Sequence, residues 1–136
     1  GLMSPCSTYH RFAVGMTGDK MSSSKPESTI FMDDEIESME RKVKRAISGG
    51  QPTVEEHRRL GGDVSKDVAF QYLQFFFEND DTALAEVKSE YESGRMLAGE
   101  VKQICIDRAT DWLIDLKQKR DQMEDSVAEF LAPDAI

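Results

Sequence analysis

The 136-residue chain is long enough for one domain and too short for two large ones. Its 39% hydrophobic content sustains a core, while a net charge of −9 disfavours indiscriminate attachment to DNA or membrane and leaves any nucleic-acid contact to local basic patches. No apolar run approaches the ~20 residues of a membrane span and the N-terminus shows no signal-peptide pattern, so the expectation is a cytoplasmic protein without membrane contact.

The first third is punctuated by Pro5, Gly15, Gly18, a serine run and Pro26. It reads as irregular chain with one short strand over residues 28–32. Asp33 or Asp34 is placed to cap a helix carrying Ile36, Met39, Val43, Ala46 and Ile47 at helical spacing, stopped by Gly49 and Gly50. Thr53 and Glu56 form a capping-box pattern that opens a short helix ending at Gly61 and Gly62. A third helix is expected from about Ser65 through VAFQYLQFFF, and a fourth over residues 82–91 with Leu84, Val87 and Tyr91 on one side. From Leu97 almost to Pro133 one stripe carries Val101, Ile104, Cys105, Trp112, Leu116, Met123, Val127 and Phe130. That length fits one long helix or two broken near residue 122. The fold class expected is mainly α: a small fragment, residues 1–33, followed by a helical bundle, residues 34–136.

The aromatic run Phe70, Tyr72, Phe75, Phe76 and Phe77 covers too much of a helix circumference to be a stacking platform, and is expected in the core. Leu73, Phe76, Val101, Trp112 and Leu116 are expected to share that core. Cys6 and Cys105 fit no metal spacing; they form one disulfide or stay as thiols, and a reducing compartment favours thiols.

Residues 18–28 read GDKMSSSKPES. Serine and glycine offer almost no apolar area to bury, so such a stretch cannot build core. It offers ammoniums, hydroxyls and backbone N–H groups instead, which suit a polyanion such as phosphate. Gly15, Gly18, Asp19 and Lys20 miss the Walker A spacing, and Met21 follows the lysine, so a P-loop is excluded. Three basic clusters stand out against the acidic background. Residues 41–45 (RKVKR) and 57–59 (HRR) flank the loop SGGQPT, whose two glycines allow backbone to approach a ligand. The third, residues 117–120 (KQKR), reads as a solvated helix face.

The segment KMSSS resembles the KMSKS signature of class I aminoacyl-tRNA synthetases. With KMSSSKPESTIF, SGGQPTVEEHRRLGG, DVAFQYLQFFFEND and YESGRMLAGEVKQ in that order, the chain is similar to the tryptophanyl-tRNA synthetase family of the archaeal and eukaryotic kind, from about Tyr9 to Pro133. One departure is Ser23, where many class I enzymes carry lysine; Lys25 is then the source of any second ammonium. The family's His-Ile-Gly-His-type signature is absent, and His10 and His57 sit in no such setting, so the chain is expected to be the C-terminal part of the enzyme, inactive by itself.

The resemblance implies that residues 1–33 are the irregular C-terminal end of a Rossmann-like class I catalytic domain and that residues 34–136 are a helical anticodon-binding domain. It implies attack of the tryptophan carboxylate on the α-phosphate of ATP, with pyrophosphate leaving. Lys20, Met21, Ser22, Ser23 and Ser24 form the implied ATP-binding segment. Lys20 is the candidate for charge on the leaving oxygens, Ser22 and Ser24 complete the cradle, and Lys25 is secondary. Met21 is expected to pack beneath the loop. Mg2+ is implied with ATP, held mainly by its phosphates, and no protein-bound metal is expected. The implied partners are tRNA(Trp), ATP, tryptophan bound by an upstream domain, and a second copy in a full-length homodimer. For the tRNA, Gly49, Gly50 and Gln51 are the candidate base-reading loop, with Arg41, Lys44, Arg45 and Arg58 as phosphate contacts. The alternative is a non-catalytic helical RNA-binding module derived from the same family. The intact KMSSS loop favours the ligase.

Overall fold

The apolar positions close into five α-helices in a computed structural model that describes residues 6–8 and 12–123. These are α1 (Ile36–Arg45), α2 (Val54–Leu60), α3 (Val68–Tyr72), α4 (Asp81–Glu92) and α5 (Ala98–Met123). Among the described residues there is no strand, so the chain is mainly α as expected. None of the described helices is long and apolar enough to cross a membrane. Helix α5 runs unbroken to Met123. Val127, Phe130 and Pro133, like Pro5, Tyr9 and His10, lie outside the described residues.

Helix α5 is the spine. Val101, Cys105, Ile106, Ala109 and Leu113 recur at helical spacing and are buried against α1, α3 and α4. Helix α1 contributes Met39 and Val43 to this core, and α3 contributes Val68, Ala69, Phe70 and Tyr72. Met16 joins them from the irregular segment, so residues 12–35 pack onto the bundle rather than hanging from it.

Several local expectations change. Residues 28–32 are not a strand: Pro26–Ser28 is a 3-10 turn and Thr29 continues in extended conformation with no strand beside it. Neither Asp33 nor Asp34 caps α1, whose N-cap is Glu35. Asp34 is committed elsewhere, accepting from Phe31 N–H at 2.9 Å and pairing at 2.5 Å with the Nζ of buried Lys42. A buried ammonium left unpaired would cost several kcal/mol, so Lys42 takes the carboxylate. Its Nζ also sits 4.7 Å from the Phe31 ring centroid. Lys42 is thus part of the packing and no member of a basic surface.

Helix α1 stops at Arg45, before the glycines, because the next residues serve tertiary bonds. Ile47 N–H donates to Met16 C=O, and Ile47 C=O accepts from Val68 N–H. Lys102 Nζ donates to the carbonyls of Lys44 and Ala46, closing the helix end. The capping box at α2 forms as expected: Thr53 Oγ1 accepts from Glu56 N–H, and Gly61 ends the helix at φ 74°.

Helix α3 is capped by Asp67, not Ser65. It widens into a π-helical turn over Leu73–Phe77, where Glu78 N–H reaches Leu73 C=O. The widened turn spreads successive side chains around more of the circumference than the bundle covers. Leu73 is buried, but Phe76 is 49% exposed, and Trp112 on α5 is 36% exposed. The single core expected for Leu73, Phe76, Val101, Trp112 and Leu116 therefore holds only for Leu73 and Val101; Leu116 is half-buried. Phe76 and Trp112 instead line an apolar cleft of about 210 Å³ with Met21, Ile30, Met32 and Phe77.

Candidate functional site

Two loops carry the candidate chemistry. The first begins at Gly18, in the left-handed region at φ 83°, where a Cβ would strike the Ile47 side chain. Gly15 N–H donates to Asp19 C=O and Gly18 N–H to Gly15 C=O, so the chain arrives at Lys20 out of a closed turn. Ser22 C=O accepts from Lys25 N–H at 3.0 Å, making a second turn out of Ser22, Ser23, Ser24 and Lys25.

This second turn is clasped from inside by Ser28, which is fully buried. Its Oγ accepts from Ser22 N–H at 3.0 Å and donates to Lys25 C=O at 2.7 Å, while its own C=O accepts from Met16 N–H. The Ser22 and Ser24 hydroxyls face one another at 2.9 Å. Lys20, Ser23, Ser24 and Lys25 are exposed, and neither Lys20 nor Lys25 has an ion-pair partner among the described residues. Met21 turns inward, as expected, with its Sδ at 3.4 Å from Thr29 Oγ1 and 3.5 Å from the Tyr72 hydroxyl. Two exposed ammoniums without ion-pair partners among the described residues thus belong to a turn whose backbone is already fixed, an arrangement suited to an anion.

The second loop, residues 48–53, is bound far more deeply. Gly49 N–H donates to Asp67 Oδ2 at 3.1 Å, and Gly49 C=O accepts from Asp63 N–H at 2.9 Å. Asp67 is fully buried and also accepts from Phe70 N–H and, at 2.8 Å, from the Tyr91 hydroxyl. One carboxylate thus joins the loop, the start of α3 and α4. A Cβ at Gly49 would collide with Asp63 C=O, so this glycine serves close packing of the protein on itself rather than approach of a ligand. Gly50 has looser surroundings, with a Cβ 3.2 Å from that of Ala98.

Gln51 is half-committed. Its Nε2 donates to Gly61 C=O at 3.0 Å, leaving Oε1 with no partner among the described residues. His57 is buried beneath the loop. Its Nε2 donates to Met96 C=O at 2.8 Å, so Nδ1 is the acceptor for Gln51 N–H. The expected basic trio at residues 57–59 is thereby dismantled, since His57 is structural and Arg58 donates to Gly94 C=O and Arg95 C=O at the end of α4. A cleft of about 260 Å³ separates the loop from the first turn of α5, lined by Ser48, Gly50, Gln51, Thr53, His57 and Gly99.

Arg41, Lys44 and Arg45 share one exposed face of α1 with Glu37 and Glu40. Arg41 pairs with Glu27 at 3.4 Å and Lys44 with Glu40 at 2.8 Å; Arg45 has no ion-pair partner among the described residues. Lys117, Lys119 and Arg120 each meet a carboxylate on the surface. Among the described residues no group of three His, Cys, Asp or Glu side chains is placed to hold a metal. Cys6 and Cys105 are both free thiols. Burial, then the Asp67 carboxylate, pushes the Cys105 thiol up to about 12, so it is no nucleophile near neutrality. Burial likewise pushes Tyr72 up to about 12, with Cys105 adding to it, and raises Tyr91 further, Asp67 adding to that shift.

Ser28, Thr29, Asp67 and Tyr72 hold these loops, and none of them stands out as a site residue in the sequence. An aspartate directly before VAFQY carries a helix-cap signal that could identify Asp67. Nothing in the local pattern marks Ser28, whose role exists only once the turn closes.

The model of the tRNA synthetases class I (W and Y) family matches residues 1–113. The chain is similar to the tryptophan–tRNA ligase of Saccharolobus solfataricus, 45% identical over 125 residues that cover 90% of this chain and 33% of that protein. It is similar to the cytoplasmic tryptophan–tRNA ligase of Rattus norvegicus, 45% identical over 84% of this chain and 24% of that protein. Its fold superposes on the crystal structure of tryptophanyl-tRNA synthetase from Aeropyrum pernix K1 with a TM-score of 0.88 at 31% identity, covering 94% of this chain and 35% of that one. The chain thus spans about a third of the length of the archaeal relatives it matches.

Proposed function

We propose, from the premise that this chain belongs to the class I tRNA synthetase (W and Y) family, that it is the part of a tryptophan–tRNA ligase carrying the KMSKS-type loop and an anticodon-binding bundle. Residues 1–33 then close a class I nucleotide-binding domain, and residues 34–136 form the RNA-binding domain. Tryptophan is held by a part of the ligase other than this chain. Mg2+ enters as the partner of the ATP phosphates. A homodimer and a cytoplasmic location, as in the name of the rat relative, go with this reading.

The observation that carries it is the Lys20–Lys25 turn, with two exposed ammoniums lacking ion-pair partners among the described residues, above a backbone locked by Ser28. When the tryptophan carboxylate oxygen bonds to the α-phosphorus of ATP, the bond from that phosphorus to the bridging oxygen breaks and pyrophosphate carries the electrons away. Lys20 stabilises the charge building there, with Lys25 behind it and the Ser22 and Ser24 hydroxyls donating. Because the turn is already fixed, little reorganisation is needed as the charge develops. Met21 contributes its backbone only, since its sulfur points inward.

For RNA, the loop of Gly49, Gly50 and Gln51 supports base reading through Gln51 Oε1 and the Gly50 backbone beside the 260 Å³ cleft. Arg41, Lys44 and Arg45 form the phosphate-facing surface of this reading, without Arg58, whose guanidinium is spent on the Gly94 and Arg95 carbonyls. In a full-length ligase carrying this sequence, Lys20→Ala is expected to lower tryptophan-dependent ATP–pyrophosphate exchange on the order of 100-fold. Unchanged exchange would refute the role given to Lys20; no exchange in the unsubstituted full-length protein would leave a non-catalytic RNA-binding module.

A further inference from the structure

We propose that Tyr72 and Thr29 are positioning residues for the signature loop, acting through the thioether of Met21; only the loop's chemical role rests on the ligase reading above. Met21 stands between Lys20 and Ser22, and its sulfur lies 3.4 Å from Thr29 Oγ1 and 3.5 Å from the Tyr72 hydroxyl. Tyr72 is 3% exposed, and among the described residues its hydroxyl has no other hydrogen-bond partner. A buried hydroxyl requires an acceptor, and here the sequence supplies a thioether. Sulfur is a weak acceptor but a polarizable one, and it packs well among the rings of Phe76, Phe77 and Trp112 that line the same cleft.

The clamp adds a second tie to the one Ser28 makes. The Ser28 hydroxyl ties residues 22–28 to one another and its carbonyl links the end of the turn to Met16 in the core, while nothing in that clasp holds the side where Lys20 and Met21 enter. Met21 ties that shape to α3. Helix α3 is in turn anchored at its start by Asp67, which also holds Gly49 of the second loop. Consecutive Cα atoms are about 3.8 Å apart, so fixing Met21 confines the arc through which Lys20 and Ser22 can move. The sulfur therefore limits where the backbone of Lys20 and Ser22 can stand.

Hydrogen exchange of the Ser22 and Lys25 amides in the 136-residue chain, at a pH where exposed amides exchange slowly, tests this directly. Tyr72→Phe removes one hydroxyl and keeps the ring; Thr29→Val removes the other and keeps the shape. Each is expected to speed exchange at these two amides about 2- to 10-fold, with α5 amides unchanged. Thr29→Ser should restore the native rate. Met21→Leu, which keeps apolar bulk and removes sulfur, should speed exchange as well, and adding Tyr72→Phe to it should change nothing further. Unchanged exchange in Tyr72→Phe and Thr29→Val, or additive effects with Met21→Leu, would overturn the clamp. In a full-length ligase carrying this sequence, Tyr72→Phe should lower kcat for adenylate formation about 2- to 10-fold and leave the KM for tryptophan alone. If Lys20→Ala were harmless there, the chemical role given to the loop would fall, and the hydrogen-exchange rates would still decide the clamp.

Discussion

The two candidate loops meet at Ile47 and are built by opposite means. The signature loop is held by hydroxyls and a thioether and leaves its lysines in solvent. The loop at residues 48–53 is held by a buried carboxylate and by Gly49 packed against backbone; Pro52 and Thr53 are exposed, and Gln51, one amide oxygen of which has no partner among the described residues, lines a cleft. A charged, polyanionic ligand is best met by charges whose hydration is removed only on binding. A base edge is best met by a few polar atoms fixed in advance, because every misplaced one costs a hydrogen bond. The contrast is the one that the proposed reading, phosphate at the first loop and RNA at the second, requires.

The strongest way to break the contrast is at Asp67. Asp67→Ala strips the acceptor from Gly49 N–H, Phe70 N–H and the Tyr91 hydroxyl, and should destabilise the chain by about 3 kcal/mol or more in urea unfolding. A loss under about 1 kcal/mol would show that the second loop is not welded to the core. Gly49→Ala comes next, because its new methyl meets Asp63 C=O and the backbone must move; a cost of about 1–3 kcal/mol is expected. Gly99, across the same cleft, sits in the first turn of α5, and a methyl added to it would find nothing within 4 Å. Gly99→Ala should stabilise by up to about 1 kcal/mol while narrowing the cleft, the opposite sign from its neighbour.

Phe76→Ala sharpens the account of the aromatic run. A buried phenylalanine costs about 3–5 kcal/mol to truncate; at 49% exposure about half that is expected. The last test is alkaline. Tyr72, Tyr91 and Cys105 keep their protons in the fold beyond the pH at which the unfolded chain releases them. The folded state then binds more protons above about pH 9, so stability should fall as pH rises from there toward about 12. Lys102, whose burial lowers its affinity for a proton, works in the other direction as a single group. Urea midpoints at about pH 8, 9.5 and 11 should decline in that order; a rise would contradict the burial of the three acids.

Much of this architecture is legible in the sequence because it is periodic or local. The α2 capping box, the α5 stripe and the inward Met21 follow from spacing or from one residue's chemistry. What is not legible depends on partners distant in sequence. Asp34 looks like a helix cap until buried Lys42, two turns into α1, claims it. Residues 28–32 look like a strand, but among the described residues no second strand comes to pair with them. Arg58 looks like a phosphate contact until the far end of α4 offers its carbonyls. The aromatic run looks like core at 3.6 residues per turn, whereas Leu73–Phe77 is a wider turn. The lysines of the signature loop are legible for the converse reason: they have no ion-pair partner among the described residues that could change their meaning.

The division of labour between the loops is tested most directly by measuring adenylate formation and tRNA binding on the same two variants in a full-length ligase carrying this sequence. Lys20→Ala should slow adenylate formation on the order of 100-fold and leave tRNA(Trp) affinity unchanged. Gln51→Ala should leave adenylate formation unchanged and weaken tRNA binding by roughly 5- to 30-fold, the worth of about one well-made hydrogen bond to a base. If either variant impaired both functions equally, or if the two effects were exchanged, the assignment of one loop to ATP and the other to RNA would be wrong.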